Sequence, residues 1–179
     1  MKHIAFLRGI NVGGKNKIPM SELKSYFEEL EFKNVLTYIN SGNVIFDSEA
    51  AADKVSKQIN TALAKNFRHT PVPIKVLVIS YAQLKTIVKK APKGFGQEPT
   101  KYYSDVAFMI DVTADEAFAA FELNPEVDAI WLGPGVVYFR RLSAKRTKSC
   151  MSKIAGRPIY KSMTIRSWNT ATKLLSLMS

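Results

Sequence analysis

Short apolar strands and helical stripes recur in a fixed order along this chain, and that order leaves few folds open to it. Residues 3–7 read as a strand, and a helix follows in which Pro19 suits the first position and Leu23, Phe27 and Leu30 recur at helical spacing. Residues 35–39 and 44–46 read as two strands around Asn40-Ser41-Gly42-Asn43, whose Gly and Asn tolerate the positive φ of a hairpin turn. Val55, Ile59, Ala62, Leu63 and Phe67 mark a second helix, and residues 74–79 a closing strand. The order is β-α-β-β-α-β.

After a linking helix over residues 81–88, ended by Pro92 and Gly94, the pattern begins again. Residues 106–111 read as a strand and 114–121 as a helix; 129–132 and 136–139 form a hairpin about Gly133-Pro134-Gly135. A short helix is expected over 148–154 and a last strand over 163–165. Ser167 then suits the N-cap of a final helix with Trp168, Ala171, Leu174, Leu175 and Met178 on one face. The expected fold is α+β: two ferredoxin-like, βαββαβ-type subdomains in tandem plus a C-terminal helix, divided as residues 1–80 and 81–179.

With 46% hydrophobic and 23% charged residues the chain lies in the globular range, outside the regime of disordered chains. No apolar run approaches the ~18 residues of a membrane span, and the start reaches Arg8 before a signal-peptide core can form. Cys150 is the single cysteine, which removes intrachain disulfides and thiolate clusters. A cytoplasmic protein with no membrane attachment is expected. The net charge of +11 is unevenly placed: residues 1–139 hold 16 basic and 15 acidic side chains, whereas the last forty hold ten basic ones and no Asp or Glu. Charge concentrated in this way favours an anionic partner such as nucleic acid or a phosphate-bearing small molecule, although a solubilising basic face has the same composition.

Residues 8–17, RGINVGGKNK, form a glycine-rich stretch without a carboxylate between the first strand and the first helix. The stretch fits G-x-x-x-x-G-K, but Asn16 stands where a P-loop needs the hydroxyl that ligates magnesium, and the helix starts too late for its first-turn amides to face phosphates. A nucleotide hydrolase of that type is therefore not expected. Glycine-rich backbone can still turn several N–H groups toward one anion, with Arg8, Lys15 and Lys17 supplying charge. The same glycines also suit a plain strand-to-helix connection. His3 and His69 are the only histidines, neither beside a carboxylate or thiol in sequence, and metal-ligand spacing is absent, so no metal and no cofactor is expected. Tyr138, Phe139, Tyr160 and Trp168 lie in or near the basic third and could stack unpaired bases, but Trp168 is more simply the first core residue of its helix and is expected to be buried by it.

The stretch FLRGINVGGKNKIPMSELKSYFEELEFKNVLTYINSGNVIF resembles the N-terminal signature of the bacterial family numbered 1697 among domains of unknown function. WLGPGVVYFRR and TIRSWNTATKLL resemble that family's other recurring blocks, with Ser167 where an asparagine often precedes the tryptophan. The resemblance implies a cytosolic α+β protein and brings no established substrate, cofactor or catalytic residue. Its recurring positions here are Arg8, Gly9, Asn11, Gly13, Gly14, Lys15, Tyr38, Ser41, Gly42, Asn43, Arg166, Trp168, Asn169 and Lys173. Of these Arg8, Asn11, Gly13, Gly14, Lys15, Ser41, Asn43, Arg166, Asn169 and Lys173 are the candidate ligand-binding residues. The expected function is binding of an anionic, phosphate-bearing partner, nucleic acid or nucleotide, through the glycine-rich loop and the basic C-terminal third. A small-molecule enzyme with a site formed only in the fold, and a protein-interaction module, stay open as alternatives. A deep pocket lined by Arg8, Asn11 and Asn43 would favour the enzyme, and a broad basic groove nucleic acid.

Overall fold

The computed structural model describes residues 1–13, 16–67 and 73–179. His69, Gly14 and Lys15 lie outside the described residues. The chain divides into two compact units, Met1–Leu84 with Leu174–Ser179, and Lys85–Lys173.

The first unit contains β1 (Lys2–Arg8), α1 (Met20–Glu29), β2 (Lys33–Tyr38), β3 (Asn43–Asp47), α2 (Ala52–Asn66) and β4 (Lys75–Ser80). Its sheet runs β2-β3-β1-β4 with every neighbour antiparallel, the ferredoxin-like order. Alternation along the strands sends Ala5, Leu7, Val44, Phe46, Val76 and Val78 to the helix-covered face, where Leu23 and Phe27 of α1 and Val55, Ile59 and Leu63 of α2 meet them. The Phe46 ring centres this core, 4.5 Å from Phe32 and 5.4 Å from Phe27. Pro19 stands just before α1 and not as its first residue.

After α3 (Tyr81–Lys89), the second unit contains β5 (Tyr102–Met109), α4 (Ala114–Ala120), β6 (Asp128–Gly133), β7 (Val136–Leu142) and β8 (Met163–Ser167), followed by α5 (Trp168–Leu177). The strand order β6-β7-β5-β8 repeats that of the first sheet. α4 opens with a complete capping box, the Thr113 hydroxyl accepting from the Glu116 N–H and the Glu116 carboxylate from the Thr113 N–H. The α+β class and the two ferredoxin-like halves expected from the sequence are what the chain forms.

The second half departs from the expectation in one element. Between β7 and β8 stand three 3-10 turns, Ser143–Lys148, Met151–Gly156 and Pro158–Ser162, in place of the helix expected over 148–154. Gly156 and Pro158 interrupt any longer helix, and this stretch has cations at 145, 146, 148, 153, 157 and 161 without one acidic residue to pair them at helical spacing. Met151 and Ile154 still reach the core beside Val137, Phe139 and Met163. Asp128 pins the turns: its buried carboxylate accepts from Asn124 N–H at 3.0 Å, Ser149 Oγ–H at 2.6 Å and Cys150 N–H at 2.8 Å. Among the described residues no helix is long and apolar enough to cross a membrane.

Candidate functional site

In the first unit the glycine-rich loop and the β2–β3 turn come together as one stapled structure. The loop is held by left-handed backbone at Gly9, Asn11, Gly13 and Asn16, the turn by the same conformation at Ile39 and Gly42. Asn11 is the staple. Its side-chain amide donates to Ile18 O at 2.9 Å and to Asn40 O at 3.0 Å, while its Oδ1 accepts from Ile18 N–H at 2.8 Å. Asn16 closes the loop from inside, donating from Nδ2 to Gly9 O at 2.6 Å as its own carbonyl accepts from Asn11 N–H at 3.1 Å. Gly42 is required sterically: at φ +75° a Cβ would lie 2.8 Å from Ile10 Cδ1 and 2.9 Å from Leu7 Cβ.

Asn43 is fully buried and donates to Tyr38 O and to Ser41 Oγ, each at 2.9 Å. Asn11 and Asn43 thus spend their amides holding the loop and turn in shape, a role that residue type alone did not separate from ligand binding. Arg8 is half-buried and Gly13 and Lys17 are exposed. Beside them lies a shallow depression of about 400 Å³ lined by Asn11, Lys17, Ile18, Pro19 and Asn40. Arg8 and Asn43 do not line it. Ile39 is a β-branched residue at φ +49°, a backbone strain that the turn carries in an exposed position.

In the second unit the basic side chains sort into two groups. Arg166 is buried and donates from Nη1 to Thr164 Oγ1 at 2.8 Å and to Ile165 O at 2.9 Å; burial pushes its pKa down to about 10. Arg141 faces Asp105 at 3.5 Å, and Lys153 and Arg157 both pair with Glu122. The Arg140 guanidinium lies 4.2 Å from the Tyr102 ring centre and 5.3 Å from that of Trp131. The exposed remainder is Lys145, Arg146 and Lys148 on the first 3-10 turn, with Lys161 and Lys173. The concentrated charge of the sequence therefore becomes, in the described residues, one exposed basic turn and several internally engaged cations.

Trp168 is half-buried where the sequence led us to expect burial by the final helix, its indole edge-on to Phe95 at 5.0 Å and to Tyr138 at 6.4 Å. With exposed Asn169 it lines a cavity of about 160 Å³ that also takes in Gly96, Tyr102, Ser104 and Asp105. Burial raises the pKa of Asp105 and the guanidinium of Arg141 works against that rise. Sequence reasoning reached Trp168 and Asn169 but not Ser104 and Asp105; the available signal was two polar residues in sequence inside a central strand. Among the described residues no group of three His, Cys, Asp or Glu side chains is placed to hold a metal ion.

These features define a protein of two ferredoxin-like halves with a stapled glycine-rich loop. The chain belongs to the DUF1697 family of proteins of unknown function, whose family model matches residues 1–138. A solved structure, that of a conserved bacterial protein from Streptococcus pneumoniae, is similar over 99% of this chain and 98% of the other, with a TM-score of 0.85 at 22% identity, a likeness of fold. No curated protein matches the sequence significantly.

Proposed function

We propose that this is a cytoplasmic protein that binds an anionic, phosphate-bearing partner, nucleic acid or nucleotide, at its glycine-rich loop, with exposed basic side chains of the second unit adding attraction. The reading is carried by the disposal of the loop's acceptors. The carbonyl oxygens of Gly9, Asn16, Ile18 and Asn40 all accept hydrogen bonds from within the scaffold. Oxygen lone pairs that would repel an anion are thereby turned to structural use, and the exposed Lys17 stands beside the depression they frame. Lys145, Arg146 and Lys148 add an exposed, closely spaced cationic turn. The shallow form of the depression favours a partner held at its surface over a small substrate enclosed for chemistry.

Binding isotherms for single-stranded RNA, single-stranded DNA and a nucleoside triphosphate at low and high salt test the reading. Affinity that falls steeply with salt, as counterion release requires, is expected for the polymers. No binding at low salt, or binding indifferent to salt, rules it out.

A further inference from the structure

One end of the first sheet sets exposed aliphatic side chains beside cations. The strand register brings the end of β1, the start of β4 and the β2–β3 turn together there: Arg8 stands opposite Lys75, and Phe6 and Tyr38 both stand opposite Asn43. Residues 1–21 and 32–46 hold no Asp or Glu, so the loop and the turn bring cations to this end and no carboxylate. The Asn11 amide donates to Asn40 O at 3.0 Å, and the residues beside that bond, Val12 after Asn11 and Ile39 before Asn40, are exposed, by 69% and 48%. Ile39 is also strained. It is β-branched at φ +49°, a conformation that glycine and asparagine, both present in the same turn, adopt at lower cost. Full burial would offset the strain, but about half of the residue is left in water. An apolar side chain held in strain and only half covered is explained by a contact outside the chain. Val12 has still less cover, and exposed Lys17 and Pro19 border the shallow depression on the same loop.

We propose that this end of the sheet is a binding surface for single-stranded nucleic acid, on which Val12 and Ile39 rest against the faces of unpaired bases while Lys17 meets the phosphates. The inference rests on the anion reading of the loop and narrows its partner to a polymer with unpaired bases. A single strand alternates an anionic phosphate with a ring whose two faces are apolar, and the loop and turn set a cation beside aliphatic surface in the same way. A duplex keeps those faces stacked on one another and offers its phosphates alone to so shallow a surface. Both side chains are β-branched and stiff at χ1, so holding them against a flat ring costs little side-chain entropy. Neither has a hydrogen-bonding group, so the contact favours no particular base. It also releases no counterions, which separates its effect from that of Lys17.

Fluorescence anisotropy of the full chain with labelled oligothymidylate, an abasic strand of equal length and polyglutamate, across a salt series, tests the proposal. Oligothymidylate is expected to bind about tenfold tighter than the abasic strand with an equal salt slope, because bases add apolar contact and no counterion release, and polyglutamate is expected to bind more weakly than oligothymidylate. Val12→Ser and Ile39→Asn each weaken oligothymidylate binding several-fold and leave abasic binding and the salt slope unchanged. Ile39→Asn also keeps or raises the urea midpoint, since asparagine accepts the left-handed backbone. If it melts early instead, Val12→Ser, on the more exposed residue, decides. Equal affinity for the two strands, wild-type binding by the folded variants, or polyglutamate bound as tightly as oligothymidylate overturns the proposal, the first two with the anion reading left standing. Absence of salt-dependent binding to every strand overturns both.

Discussion

The two halves share a strand order and differ in what covers the sheet between the third and fourth strands. In the first half α2, fifteen residues long, lays Val55, Ile59 and Leu63 onto the sheet at helical spacing. In the second half three 3-10 turns deliver Met151 and Ile154, and a buried carboxylate holds them. One topology therefore tolerates two ways of closing a core. A helix supplies its own backbone hydrogen bonds and needs only an apolar stripe. Irregular chain needs side chains such as Asp128 to satisfy its N–H groups, and in exchange can carry a run of cations that would crowd one another on a regular helix.

The comparison breaks most sharply in the core. Leu63→Ala should cost about 3–5 kcal/mol, because a fully buried side chain is lost and its cavity relaxes only in part. Asp128→Ala should cost about 2–3 kcal/mol by leaving Ser149 Oγ and two backbone N–H groups without their acceptor. Urea melts give both values. An Asp128→Ala loss under about 0.5 kcal/mol would mean that the turns hold themselves and that the contrast with α2 is false.

Much of this fold was legible in the sequence because burial imposes a period. Strands with alternating apolar residues and helices with a stripe, such as Leu23 and Phe27 or Val55, Ile59 and Leu63, announce themselves wherever a face must meet the core. Residues 148–154 misled because Met151 and Ile154 have the i, i+3 spacing that 3-10 and α-helices share. The loop was legible in composition and not in role. Asn11 and Asn43 were singled out as polar residues in a glycine-rich setting, and nothing in sequence tells an amide that binds a carbonyl twenty-nine residues away, as Asn11 binds that of Asn40, from one that faces a ligand. Arg166 counted toward a surface charge and is buried; Asp105 escaped notice because its cavity exists only where β8 happens to stop.

A smaller effect separates the halves by pH. His3 is buried against Phe46 in the first half, and burial, then the nearby terminal ammonium, lowers its pKa from the ordinary 6.5. The unfolded chain therefore takes up the imidazole proton first, so this contribution to stability is complete above pH 6.5 and is lost as pH falls through the depressed folded value. Asp105 in the second half has the opposite sign: its pKa is raised by burial, so its contribution is present at acid pH and lost as pH rises through the folded value. His3→Leu should flatten the acid-side decline below pH 6.5, and Asp105→Asn should remove the loss on the rising side of the carboxylate range. Denaturation midpoints of both variants across pH check this. An unchanged acid limb in His3→Leu would mean that His3 takes up its proton as readily in the folded chain as in the unfolded one.

The smallest expected change in stability bears most directly on the loop. Lys17 is exposed, borders the depression beside Asn11 and Asn40, and follows Asn16, whose side chain closes the loop. The framework of the loop is made by Asn11, Asn16 and Gly42, so removing the lysine ammonium leaves that framework whole. Lys17→Ala should shift stability by no more than about 0.5 kcal/mol. If the loop holds phosphate, the same variant loses one ionic contact: binding of single-stranded RNA or DNA weakens to a similar degree for every sequence, and the slope of log affinity against log salt falls by about one. Asn11→Ala gives the opposite pattern, destabilising by about 1–3 kcal/mol because Ile18 N–H and two carbonyls lose their partner. Should Lys17→Ala keep the full salt slope while a double Lys145→Ala and Arg146→Ala variant loses it, the anion is held by the basic turn of the second half, and the stapled loop serves only to join β1 to α1.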